Sequence, residues 1–268
     1  MASAMITGLI ASGVPARQIR VVAPSSSTRQ RLRETFAVSA QTVPNADFGR
    51  SDVLVLAVKP QQLQAAVRDL LPHMTGGLIV SLIAGVRMDT LQRLFNSSRV
   101  VRAMPNTPAL LGQGMTGLAA PIQLDAADRA IASALALAMG QCLWVEGDEQ
   151  LNAVTALSGS GPAYVFYLIE AMEQAALTLG LSAAQGRQLA VSTFHGAALL
   201  ASQSAEATVL LRERVTSTGG TTQAAIQVLE THCVQQAFVQ AIQAAASRSR
   251  EISAELGVCS SLLSGLPK

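Results

Sequence analysis

Lysine is almost absent from this chain. Of its 19 basic residues only Lys59 and Lys268 are lysines, and the other 17 are arginines. Chemistry that needs a lysine amine on a helix of the C-terminal half is thereby excluded, because none stands there before the last residue. Aromatics are 3% of residues and charged residues 13%, with neither a basic stripe nor interleaved aromatics, so nucleic acid is not an expected partner. Cys142, Cys233 and Cys259 form no CxxC pair and leave one over from any pairing. They fit a reducing, cytoplasmic setting and small buried side chains better than disulfides. His73, His195 and His232 lie far apart without ligand spacing, so no metal site is expected, and His195 reads as a core histidine. No uninterrupted apolar run reaches about 18 residues, and no basic stretch precedes the first apolar one. Neither a membrane span nor a secretory signal is expected.

What is present is apolar and small. Half of the residues are hydrophobic, chiefly Ala, Leu, Val and Ile, and mean hydropathy is +0.36. Without a membrane to hide in, such a chain is expected to bury surface in an oligomer.

Up to about residue 145 short apolar runs alternate with helical periodicity. "IRVVAP" reads as a strand and "SSSTRQRLRETF" as a Ser-capped helix. "SDVLVLAVKP" holds a continuous apolar run, Val53 to Val58, as a strand buried on both faces does. Helix "QQLQAAVRDLL", strand "GLIVSLIAG", helix "MDTLQRLF" and strand "RVVRAMP" follow, and "CLWVEG" closes this half. The alternation predicts an α/β fold with a Rossmann-like, doubly wound parallel sheet over residues 1–147. From residue 148 to 268 the period becomes 3.6 throughout, broken at "SGSGPAY" and "TSTGG", which predicts an all-helical second domain. An α/β sheet takes ligands at the carboxyl ends of its strands. Here those ends carry "APSSS", "AVKP", "LIAG" and "AMPNTP", four small-residue turns that together point to a nucleotide site.

The usual opening of a dinucleotide-binding unit is a strand, a GxGxxG turn and a helix. This sequence opens in the helix, "MASAMITGLIASGVP", with neither strand nor glycine turn before it. The first strand normally lies at the centre of the sheet, so the sequence is expected to be short at its start by a strand and a turn.

The motifs "AVKP", "VVRAMPNTPALLGQGM", "VTALSGSGPAYVFYLIEAM", "LRERVTSTGGTTQAAIQVLE" and "AAASRSREI" together resemble the pyrroline-5-carboxylate reductase family over essentially the whole chain. Members begin with the strand and glycine turn that run into this chain's first helix. They commonly read SPGGTT where this chain has Ser217, Thr218, Gly219, Gly220, Thr221 and Thr222. Thr218 in place of proline is expected to loosen that loop.

The resemblance implies an imine reductase that reduces 1-pyrroline-5-carboxylate to L-proline with NAD(P)H, and a C-terminal domain that forms a homodimer or larger homo-oligomer. It implies Ser217, with the amides of Gly220 and Thr221, as the clamp for the substrate carboxylate, and Thr222 as the hydrogen-bond partner of the ring nitrogen. Ser217 and Thr222 are thus the expected catalytic residues. Ser25, Asn45, Ala57, Val58, Lys59, Pro60, Ala84 and Asn106 are the expected cofactor contacts, with Ser160 a further candidate for ligand contact. No Asp or Glu follows "IRVVAP" to bind a ribose 2′-hydroxyl, as NAD-binding sites have; Ser25, Ser26, Ser27, Thr28 and Arg29 stand there instead. NADPH is therefore the expected cofactor, with NADH as the second choice. A β-hydroxyacid dehydrogenase is excluded by the missing lysine of its second domain. The competing reading is a catalytically inactive, reductase-like oligomeric binding protein that has lost its nucleotide turn.

Overall fold

A computed structural model describes residues 1–261, with side chains described through Leu256. In chain order the first half runs α1 (Ala2–Ala11), β1 (Arg20–Val22), α2 (Ser26–Phe36), β2 (Ser39–Gln41), α3 (Ala46–Gly49), β3 (Val53–Leu56), α4 (Leu63–Leu70) and β4 (Leu78–Ser81). It continues with α5 (Met88–Phe95), β5 (Val100–Met104), β6 (Gly114–Ala119), α6 (Ala126–Leu137) and β7 (Gly140–Trp144). Only helices follow: α7 (Gly147–Val154), α8 (Gly161–Thr178), α9 (Ala183–Gln203), α10 (Thr208–Arg214), α11 (Thr221–Thr231) and α12 (Val234–Ser261). The chain packs as two units, one of residues 1–160 with the second half of α12 and one of residues 161–244.

In the first unit β3, β4, β5, β6 and β7 form one sheet in that order, and β1 pairs with β2 in a separate two-stranded sheet. The strands β3, β4 and β5 are parallel, with Leu54, Ile79 and Val100 in register across them. All four residues of β4 are buried, as are the first four of β5, so these apolar runs are covered on both faces. One face packs on Leu63, Val67 and Leu70 of α4 and on Leu91 and Phe95 of α5. The other packs on Ala132 and Ala136 of α6.

One strand runs against the expected direction. β6 is antiparallel to β5, with Arg102 opposite Ala119 and Met104 opposite Gly117. The reason is length: a parallel crossover needs about a dozen residues or more, usually with a helix. The connection from Met104 to Gly114 is shorter and holds only a 3₁₀ turn, Thr107–Leu111. The sheet becomes parallel again between β6 and β7, where α6 supplies the crossover. The elements β2 and α3 carry too few residues to show a period, and the sequence does not reveal them.

Helix α1 joins the two sheets. Ala4 and Met5 pack on Val55, Ala109 and Met139, while Ile6 packs on Val21, Leu32 and Val38. Gly8 lets α1 lie against the end of α6, since a Cβ there would overlap the carbonyl oxygen of Ala138.

The helical unit is different in kind. Full burial in α8 and α9 is confined to Ala176, Gly186 and Ala190, and α10 and α11 bury nothing fully. Phe166, Tyr167, Leu179 and Leu200 are exposed. His195, expected in a core, is exposed on α9: apolar neighbours along the helix do not bring a covering element onto its face. The cysteines depart from expectation as well: Cys142 is half-buried, and Cys233 is exposed with a left-handed φ of 52° between α11 and α12. Cys259 lies outside the residues whose side chains are described. Among the described residues no helix is long and apolar enough to cross a membrane.

Near the sheet, Asp128 at the start of α6 accepts from Arg99 Nε (2.7 Å) and Nη2 (2.8 Å). This bidentate pairing holds the buried Asp128 carboxyl below the usual carboxylate range. A lowered folded-state value contributes stability that is complete above the unfolded value and is lost as pH falls through the folded one. An Asp128→Asn variant is therefore expected to be less stable than the parent at neutral pH. In urea melts across pH the difference should shrink only below about pH 4.

Candidate functional site

The parallel pair β1–β2 and the parallel strands β3, β4 and β5 deliver their carboxyl ends to turns that hold the expected nucleotide contacts. After β1, Ser25 caps α2, its Oγ accepting from Thr28 N–H (3.4 Å) and lying 2.9 Å from Ser27 Oγ. Arg29 folds back so that Nη1 donates to the carbonyls of Ala23 (2.7 Å) and Pro24 (2.6 Å). Its charge thus sits in the turn, where no carboxylate stands. After β2, Asn45 caps α3 by accepting from Phe48 N–H at 3.0 Å. After β3, Ala57 and Lys59 are exposed, Pro60 opens a 3₁₀ turn, and Val58 packs downward on the sheet core. After β4, Ala84 is exposed on a turn between buried Ile83 and buried Gly85.

After β5 the site is braced rather than open. Asn106 accepts at Oδ1 from Met115 N–H (2.9 Å) and donates from Nδ2 to the carbonyl of Ser158 (3.1 Å). Ser158 belongs to a π-helical turn, Thr155–Gly159, closed by Ser160 N–H on Thr155 O at 2.9 Å. Turns of this kind widen a helix locally and recur at functional sites. Asn106 therefore ties β5 to β6 and to "SGSGPAY". Ser160 contributes its backbone to the same turn.

Four residues before Asn106, Arg102 is buried in β5 with its side chain 5% exposed, and Nη1 meets Asp148 Oδ1 at 2.5 Å. Asp148 also accepts from Met88 N–H at 3.2 Å, which caps α5. No motif singles out this pair. Its only sequence signal is an arginine inside an otherwise apolar strand, a charge that burial requires to be matched.

In the helical unit, the expected substrate residues gather at the start of α11. No side chain caps this helix, so the amides of its first turn have no side-chain partner. Gly220 N–H, expected to face a carboxylate, instead donates to the carbonyl of Ser217 at 3.0 Å. Gly219 N–H donates to Gln223 Oε1 at 2.6 Å. That leaves the first-turn amides, beginning with Thr221 and Thr222, aimed outward beside the positive end of the helix dipole. Ser217 Oγ lies over Gly220, where a Cβ would come 2.6 Å from it. The structure thus brings Ser217, Gly220, Thr221 and Thr222 together around one helix end. It places Ser25, Asn45, Ala57–Pro60, Ala84 and Asn106 each at the end of its own strand.

The chain is similar to known proteins over nearly its whole length. The family described as "Pyrroline-5-carboxylate reductase dimerisation" matches residues 148–252, and "NADP oxidoreductase coenzyme F420-dependent" matches residues 1–85. A pyrroline-5-carboxylate reductase of Pseudomonas aeruginosa is 42% identical over 259 residues, covering 96% of this chain and 95% of that protein. One from Haemophilus influenzae is 39% identical, covering 94% of each. The solved structure of a pyrroline-5-carboxylate reductase from Coxiella burnetii superposes with a TM-score of 0.88 at 36% identity, covering 94% of both chains.

Replacing Asn106 by Ala removes partners from one N–H and one carbonyl in half-buried surroundings. The expected cost is about 1–3 kcal/mol, read as a lower urea midpoint with an unchanged slope.

Proposed function

The chain belongs to the pyrroline-5-carboxylate reductase family, and from that premise we propose how its residues carry out the reaction. The protein is an imine reductase that converts 1-pyrroline-5-carboxylate to L-proline, the last step of proline biosynthesis, with a nicotinamide dinucleotide as reductant. The observation that carries the residue roles is the uncapped start of α11, where a hydroxyl and outward-facing amides meet at a positive helix end.

The strand-end turns fit a dinucleotide by their chemistry. They are short, they expose Ala57 and Ala84, and the turn after β1 offers hydroxyls and the Arg29 guanidinium rather than a carboxylate. That donor set favours a 2′-phosphate over a free 2′-hydroxyl, so NADPH is the preferred cofactor and NADH the poorer one. Asn45, Val58, Lys59, Pro60 and Asn106 complete the nucleotide side. The bound nucleotide supplies the hydride.

On the substrate side, Ser217 and the amides of Thr221 and Thr222 hold the carboxylate, and Gly220 shapes the turn that aims them. The Thr222 hydroxyl holds the proton at the ring nitrogen, keeping the C=N carbon electrophilic. A protonated imine needs no stronger acid, which is why hydroxyls suffice where a carbonyl reductase would use Lys, His or Tyr. Residues 1–147 bind the nucleotide, and residues 148–268 bind substrate and associate. The exposed apolar side chains of α8 and α9 support association into a homodimer at least. We place the enzyme in the cytoplasm and assign it no nucleic-acid or membrane partner.

The test is NADPH oxidation that depends on added pyrroline-5-carboxylate, with Thr222→Val as control. That variant is expected to lower kcat/KM for the imine about tenfold or more while NADPH binding and the oligomer mass by light scattering stay those of the parent. A chain that binds NADPH and never turns over would instead establish the inactive binding protein.

A further inference from the structure

The turn after β4 is shaped by residues to which no motif assigns a role. Ser81 Oγ accepts from Ile83 N–H at 3.3 Å, turning the chain off the strand, and Gly85 then takes a left-handed φ of 79°. A Cβ at Gly85 would fall 2.7 Å from Ile252 Cγ2 and 2.9 Å from Leu256 Cδ1, so two side chains of α12 press on this glycine. The far end of the turn is also held: Met88 N–H, which opens α5, donates to the Asp148 carboxylate.

Helix α12 is not free to drift from this position. Ser249 Oγ donates to Asn152 Oδ1 of α7 at 2.8 Å, and both residues are buried. Ser253 Oγ donates to the carbonyl of Ser249 at 2.9 Å, and Arg250 Nε meets Glu149 Oε2 at 3.0 Å. The helices α7 and α12 thus form one brace against residues 83–88, while Ala84 within that stretch stays exposed. Asp148 has a second effect. Its carboxylate occupies the start of α5, the position where a helix otherwise attracts phosphate. With the helix end occupied, this turn exposes Ala84.

We propose that Ile252 and Asp148 are positioning residues for nucleotide binding, which fix the backbone from Ile83 to Met88 so that Ala84 is presented to the dinucleotide. The proposal rests on the reading of Ala84 as a nucleotide contact. Neither residue is among those assigned to the substrate, and both act on the turn after β4, so their effect falls on nucleotide affinity and spares the imine. Ile252→Val keeps the Cγ2 methyl that meets Gly85, whereas Ile252→Ala removes it and lets the turn relax.

The experiment titrates NADPH by its fluorescence against the full chain and its variants, without substrate, and then measures kcat and both KM values. Ile252→Ala is expected to weaken NADPH binding and raise its KM about tenfold, with kcat and the KM for pyrroline-5-carboxylate within about twofold of the parent. Ile252→Val should behave as the parent. A folded Ile252→Ala protein with unchanged NADPH affinity overturns the proposal, and so does a loss spread equally over kcat and both KM values. Should Ile252→Ala not fold, Leu256→Ala, which loosens the same contact from a half-exposed position, must show the selective loss; if it does not, the proposal fails. A parent chain that binds NADPH but reduces no imine overturns the reductase assignment and leaves this proposal to the titration. A parent that binds no NADPH overturns both.

Discussion

The Arg102–Asp148 contact is the constraint on which the sheet unit depends. An arginine within a buried strand is tolerated only if its charge is met, and removing either partner would strand the other in a medium that solvates it poorly. Asp148 meets it, and in doing so fixes three elements with one carboxylate: β5 through the guanidinium, α5 through the Met88 amide, and the first turn of α7 through its own backbone. The position of α7 then decides what α12 can do. The Ser249–Asn152 bond and the contact of Ile252 and Leu256 with Gly85 need α7 where Asp148 holds it. Electrostatics inside the sheet thus reach the turn after β4 without any residue spanning the distance.

The two candidate sites are built on different principles. On the nucleotide side, short turns at strand ends expose backbone and small side chains, and the sheet beneath supplies rigidity through β4 and β5, whose cores exclude water from both faces. On the proposed substrate side a helix end is left without a side-chain cap, so its first-turn amides are available to a ligand. Asn106, on the nucleotide side, is fixed differently from the other turn residues. Its amide is engaged by Met115 and Ser158, so it acts as a strut under the "MPNTP" turn and the π-helical turn together.

Much of this was legible beforehand where a residue's own neighbours decide its structure. The helix "MDTLQRLF" forms over Met88–Phe95, Ser25 caps α2, and the apolar runs around Leu54, Ile79 and Val101 form the buried strands. The motif "TSTGGTT" places its hydroxyls at a helix start, as its glycines and threonines require. What stayed hidden depends on partners distant in sequence. The antiparallel course of β6 follows from a connection too short for a crossover, which matters only once β5 and β6 are known to be neighbours. The bond of the Gly220 amide to Ser217 is a detail of turn geometry that composition cannot specify. The role of Ile252 against Gly85 carries no local signal, since an isoleucine on an amphipathic helix announces burial but not against what. His195 and Cys233 were misplaced for the same reason, because apolar neighbours along a helix do not establish that anything covers it.

The sparse interior of residues 161–244 bears on how the protein is to be handled. In α8 through α11 a few small residues are fully enclosed, while leucines, a phenylalanine and a tyrosine face outward. In a homo-oligomer a segment of that kind gains hydrophobic stabilisation from the surface of another copy, and its stability then enters partly through mass action. The free energy that keeps these helices folded therefore carries a concentration in it. For these helices, dilution of the oligomer would act as a denaturant does.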